Sequence, residues 1–207
     1  MRNVLIAVAF CAFAFPCAAA AAEGSCAVES AYVFEKQAFV ASGKPVVNCG
    51  ASFDLGNGFT ADPWAQGGED KISEELDLVG GWHRDFGTVT VHAVGGGYFY
   101  PTSNFETIYT VGGGVSTSVH GVIVDASVQQ YWRGYKTTQW GLSGTRQFSV
   151  GDDKNLSLTL GIGRNTANHS TPVFGAISYP LTARLDLFGH GFVDHGSGGS
   201  FGLRAHF

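Results

Sequence analysis

The chain is short of charge. Asp, Glu, Lys and Arg make up 14 % of its 207 residues, against about 25 % in an ordinary globular domain. Only 12 residues are Lys or Arg, and the formal net charge is −5. That balance offers no basic face to phosphates, so no nucleic-acid partner is expected. The usual formers of an exposed helix face are scarce as well, with a single Met. Gly, at 30 residues, is about twice its usual share and costs about 1 kcal/mol at an interior helix position. The composition therefore argues for strands. Beyond the N-terminal segment there is no run of 18 consecutive apolar residues, which excludes a transmembrane helix. Disorder is excluded by the opposite excess: 44 % hydrophobic and 13 % aromatic residues can bury a large apolar area.

The N-terminus reads Met1-Arg2-Asn3, then an apolar run to Phe15, then Pro16 and small residues from Ala18 to Ala22. A charged start, a short apolar stretch and an Ala-x-Ala end make residues 1–22 a secretory signal peptide, cleaved near Ala20 to Ala22. Residues 23–207 then form one folded unit. Two of the four cysteines, Cys26 and Cys49, remain in it. An exported, oxidising setting allows them to be bridged, with two free thiols as the alternative.

Period two runs through this unit. Phe201, Leu203, Ala205 and Phe207 alternate with Ser200, Gly202, Arg204 and His206; Leu156, Leu158, Leu160 and Ile162 alternate with Ser157, Thr159 and Gly161. A soluble sandwich alternates too, but it stocks its polar face with Lys and Glu. Here the polar faces carry Gly, Ser, Thr, Gln and isolated charges, which suits a crowded polar lumen. The expected fold is all-β, a transmembrane antiparallel up-and-down β-barrel. Twelve strands are expected, at 27–35, 45–54, 57–66, 72–84, 87–100, 104–117, 119–132, 136–150, 155–165, 171–180, 183–194 and 198–207, with ten as the alternative. Pro63 shortens or bulges the third strand in this reading, since proline removes a ladder donor. Trp82, Phe99, Tyr109, Trp132, Trp140, Tyr179 and Phe207 fall where aromatic girdles belong, and Arg146 is a cation on the lipid-facing parity. The expected place is the bacterial outer membrane, in contact with its lipid, and the terminal Phe207 is expected to serve as a signal to the outer-membrane insertion machinery.

Between Ala31 and about Ser116 the chain resembles a known family. The resemblance rests on Ala31-Tyr32-Val33-Phe34, Gly43-Lys44-Pro45 leading to Gly50-Ala51-Ser52-Phe53-Asp54, Glu75-Leu76-Asp77-Leu78, Gly97-Tyr98-Phe99-Tyr100-Pro101, and Glu106-Thr107-Ile108-Tyr109. These residues resemble the TorF-type porin family of predicted outer-membrane barrels in Gram-negative bacteria. The resemblance implies a barrel and suggests transport, and it carries no catalytic residue or cofactor with it.

Strand parity turns Glu75, Asp77, His92, Glu106, Asp125, Arg184, Asp186, His190, Arg204 and His206 inward. They line a path for small polar solutes in one reading and form a structural network in the other, because an unpaired buried charge is costly. Twelve strands leave a lumen narrow enough for side chains to constrict. No enzyme is expected. His190, Asp194 and His195 lack a fourth metal ligand, and His169-Ser170 is a pair rather than a triad. The main functional rival to a diffusion channel is a closed barrel with a structural or surface-interaction role, and an outer-membrane lipid-modifying enzyme is the further alternative.

Overall fold

The computed structural model describes residues 22–34, 36, 39–69, 74–151 and 154–207; the expected signal peptide, apart from Ala22, lies outside them. Fourteen strands follow in order: β1 (Ala22–Glu29), β2 (Tyr32–Phe34), β3 (Phe39–Ser42), β4 (Val46–Gly56), β5 (Phe59–Gly68), β6 (Glu75–Phe86), β7 (Val89–Phe99), β8 (Ile108–Val119), β9 (Val122–Trp132), β10 (Thr137–Ser149), β11 (Asn155–Asn165), β12 (Val173–Thr182), β13 (Leu185–Val193) and β14 (Ser197–His206). Twelve close into an antiparallel up-and-down barrel, in which β1 pairs with β14 on one side and β4 on the other. The remaining two, β2 and β3, pair only with each other.

Turn chemistry explains why consecutive strands become neighbours. Asn57-Gly58 and His120-Gly121 both have positive φ, at 54° and 82° and at 49° and 77°, as a two-residue hairpin turn of matching twist requires. These turns, with Gly87-Thr88, Val150-Gly151 and Ala183-Arg184, crowd one end of the barrel, which also carries both ends of the described chain. This is the near end; longer loops occupy the far end. Strands β6 to β11 run 11 to 13 residues. At about 3.3 Å per residue and a tilt of about 40°, they reach about 30 Å along the axis.

The outer face is apolar. Leu78, Val111, Val115, Val128, Leu142, Leu158, Leu160, Ile177, Leu187 and Leu203 are all exposed on it. Phe99, Tyr109, Trp132 and Trp140 ring it toward the far end, and Phe59, Trp82, Phe86, Phe148, Tyr179 and Phe207 toward the near end. Arg146 does face outward, but three residues from the end of β10, where its guanidinium lies 5.2 Å from the Phe148 ring. Such an interfacial cation costs about 0–1 kcal/mol, against roughly 2–4 at a bilayer midplane.

Two expectations about strands are corrected. The first strand is β1, ending at Glu29, and not 27–35. The chain leaves the wall at Ser30, whose Oγ accepts from the Phe201 backbone N–H. Ala31, Tyr32 and Val33 are then all buried, so burial does not alternate along them. The third strand, β5, is neither shortened nor bulged at Pro63. Pro63 faces outward opposite Leu78, and the ladder to β6 is continuous through it. The missing donor shows instead on the β4 side, where pairing skips from Gly50↔Trp64 to Phe53↔Ala61. A Ser52 hydroxyl donating to Asp62 spans the gap.

Candidate functional site: the lumen

The register fixes what the lumen contains. Directly opposed residues share a face, so the inward row of β6 and β7 contains Asp77 with Tyr98 and His83 with His92. Asp125 opposes Ser143 across β9 and β10, while Asp186 opposes Arg204 and His190 opposes Ser200 across β13 and β14. Glu75, opposite Gln66, and His206, opposite Ser25, complete the inward set. Glu106 and Arg184 are corrections. Each sits outside the strands, exposed, in a segment held by local hydroxyl bonds: Phe105 N–H donates to Ser103 Oγ at 3.2 Å, and Arg184 N–H to Thr182 Oγ1 at 3.2 Å. Such bonds compete with the ladder and end the strand early.

The inward charges fall into three groups. On the β12 to β14 side, His190 Nε2 is 2.9 Å from Glu29 Oε2, and His206 Nε2 is 2.9 Å from Asp186 Oδ2. Asn48 Nδ2 donates to Glu29 Oε1 at 2.6 Å, and Arg204 lies over the Phe188 ring at 4.3 Å. Here each carboxylate has a partner that can carry positive charge. His92 and Asp125 form a looser contact of 3.8 Å. Across the barrel, on β4 to β6, the acids meet neutral donors instead. Asp62 accepts from Ser52 and Thr60, Asp85 from Thr90, and Asp54 from the Gly56 N–H. Among the described residues, the hydrogen-bond partners of these three acids are all neutral.

The third group is buried. Glu75 is 3 % exposed, next to Asp77 on the inward row. Its carboxylate accepts from Tyr32 Oη and, at 3.1 Å, from Tyr100 Oη. Burial raises the Tyr32 hydroxyl well above its ordinary pKa, and Glu75 adds to the shift, so Tyr32 stays a donor. Tyr98 and Tyr131 continue the row, with Gln129 Nε2 donating to Tyr98 Oη at 3.3 Å. Among the described residues, Asp77 Oδ1 and Gln139 Nε2 are buried without a hydrogen-bond partner.

The largest departure from the sequence reading is β2–β3. Val33 and Ala31 form a buried cluster with the inward-facing Phe174 of β12 and Phe192 of β13. A Cβ on Gly198 of β14 would lie 2.4 Å from Val40 Cγ2. On the other side, Tyr32 reaches Glu75 on β6. β6 and β12 are six positions apart in a ring of twelve, so the hairpin crosses the lumen between opposite walls. All these wall residues lie within a few residues of the far end. The sequence signal was the unbroken run Ala31-Tyr32-Val33-Phe34, too apolar on both faces for a wall strand.

Other candidate chemistry is not assembled. His190 turns to Glu29, while His195 is exposed in the β13–β14 turn, and no group of metal-ligating side chains occurs among the described residues. Ser170 donates to Asn168 at 2.6 Å, and His169 is exposed. Cys26 and Cys49 are bridged on the outward face, directly opposite one another across β1 and β4.

No protein-family model matches the chain, and no curated protein matches its sequence. Solved structures do match. The KdgM porin aligns over 90 % of this chain and 98 % of its own, at 8 % identity and a TM-score of 0.64. The NanC porin aligns over 90 % and 99 %, at 12 % identity and 0.60. The COG4313 outer membrane channel from Pseudomonas putida F1 aligns over 92 % and 96 %, at 11 % identity and 0.52. At such identities the likeness is one of fold: the chain has the barrel architecture of these outer-membrane porins and channels.

Proposed function

We propose that this protein is an outer-membrane channel through which small polar solutes diffuse passively. One observation carries the reading: a closed twelve-strand wall has an apolar, aromatic-ringed outer face and a polar, charged inner one. Only a closed barrel or a helix satisfies every backbone group in hydrocarbon, and an inner polar face would be wasted on a dry core. The porin-like fold supports the same reading. Residues 1–22 direct export, and Glu75, Asp77, His92, Asp125, Asp186, His190 and Arg204 line the solute path. Phe207 marks the chain for insertion.

Planar-bilayer recording of the purified, refolded protein tests it. Discrete conductance steps at several salt concentrations are expected. Their absence from both the wild type and a variant lacking residues 31–42 would replace the channel with a closed structural barrel.

A further inference from the structure

We infer that the β2–β3 hairpin is a removable gate, seated across the far mouth by the Tyr32–Glu75 bond on one wall and by Val33 and Val40 on the other. The inference rests on the channel reading and adds how that channel is opened. Twelve strands about 4.8 Å apart, tilted by about 40°, enclose a ring about 24 Å across between backbones. Wall side chains narrow this, and a two-stranded ribbon with its own side chains is about 10 Å thick. The hairpin therefore obstructs the far third of the lumen.

Its attachments differ in kind from those of the wall. β2 and β3 have three and four residues, and their ladder is with each other alone. An isolated hairpin of that length is not stable in water. Its seat on the wall includes the Tyr32 hydroxyl on Glu75, the Ala31 N–H donating to Ser200 Oγ at 3.3 Å, the cluster of Ala31 and Val33 with Phe174 and Phe192, Val40 against Gly198, and Lys36 5.9 Å from the Phe174 ring. Releasing them breaks no hydrogen bond between barrel strands. A unit that shares no ladder with the wall can open separately from it.

The seam beneath it is built to stay shut. β1 and β4 pair from Ala22↔Phe53 up to Glu29↔Val46, and residues 30–45 leave and return at that point. The Cys26–Cys49 bridge fastens the two strands below the exit. Ser30 holds the exit itself, with its N–H on Phe201 O at 2.9 Å and its Oγ accepting from Phe201 N–H at 3.2 Å. On the return arm, Gly43 has no atom near its Cβ position. The hairpin can swing outward on Gly43 and the segment after Ser30 while the wall remains closed.

Three variants test the gate by planar-bilayer recording, each beside wild type under the same reductant. Val40→Cys with Gly198→Cys joins the hairpin to β14. When oxidised, it is expected to conduct at less than about a tenth of the wild-type level, with recovery on reduction. Tyr32→Phe removes the hydrogen bond to the buried Glu75, and the open fraction is expected to rise by about twofold to tenfold. Replacing residues 31–42 with a Gly-Ser linker is expected to give a channel that stays open. The gate is overturned if the oxidised pair, confirmed by mass spectrometry, conducts like wild type. It is equally overturned if the other two variants leave the open fraction of a conducting protein unchanged. Silence from both wild type and the linker variant defeats the channel reading itself.

Discussion

Phe207 takes part in closing the ring. Phe207 exchanges two backbone hydrogen bonds with Gly24, at 3.1 and 3.0 Å, which extends the β1–β14 closure beyond the strand ends. Its ring lies on Gly24, where a Cβ would come within 2.3 Å of Cε2, yet the residue is 70 % exposed on the outer face. Phe201, on the same face, is 69 % exposed and makes an equal-sized control. Deleting Phe207 is expected to lower the folded protein recovered from outer membranes severalfold, and Phe201→Ala is expected to change it little. Burial of one Phe contributes about 1.5–3 kcal/mol at most, so a difference between the two isolates the terminal position. Equal recovery of both at wild-type levels would reduce Phe207 to an ordinary girdle residue. Gly24→Val is expected to weaken closure by a different route, by forcing the Phe207 ring off its seat; heating on unboiled detergent gels would show unfolding at a lower temperature. Phe207 was legible from its place at the end of an alternating strand. Its partner Gly24 was not, because only the closure of the ring brings residue 24 beside residue 207.

At the scale of elements, β1 and β4 stand apart from other neighbouring pairs. Most neighbours in the wall are joined by turns or simple loops, whereas these two are separated by a whole hairpin. Their disulfide compensates, since closing a loop of this size is worth about 3 kcal/mol in the chain-entropy account. Cys26→Ser with Cys49→Ser is expected to lower the heat needed to convert folded to unfolded migration on detergent gels. The same loss should follow reduction of the wild type and be absent from the double variant. Strand boundaries were readable wherever one face was apolar and the other polar, and 155–165 coincides with β11 end for end. The limits of 27–35 were not, because Ala31 to Phe34 are apolar in both directions. Period two cannot distinguish the end of a wall strand from a segment buried on all sides. Period two extends into the loop around Glu106 for a related reason: its residues continue the alternation of β8, but hydroxyl-to-backbone bonds and Pro101 hold it as a turn.

For the molecule as a whole, the inner wall is asymmetric. Asp54, Asp62 and Asp85 face neutral donors on β4 to β6, and the opposite carboxylates are matched by His190, His206 and Arg204. With a screening length of about 8–10 Å at physiological salt, ions in a lumen this narrow feel that wall. A potassium chloride gradient across a planar bilayer is expected to give a reversal potential of cation-selective sign, reduced toward neutral by Asp62→Asn with Asp85→Asn. Anion selectivity in the wild type would contradict this account of the wall. The barrel, its two faces and most of its strands are readable from the residues alone, because alternation is a local property and a strand displays it wherever it lies. So is the parity that points inward, and hence most of the charged lining. Which inward charges meet, and what crosses the lumen, follow from the folded ring and not from alternation. Glu29 and His190 are 161 positions apart in the chain, and Tyr32 and Glu75 are 43 apart. Such contacts depend on ring closure and on a hairpin folding inward, and neither leaves a periodic trace in the residues that make it.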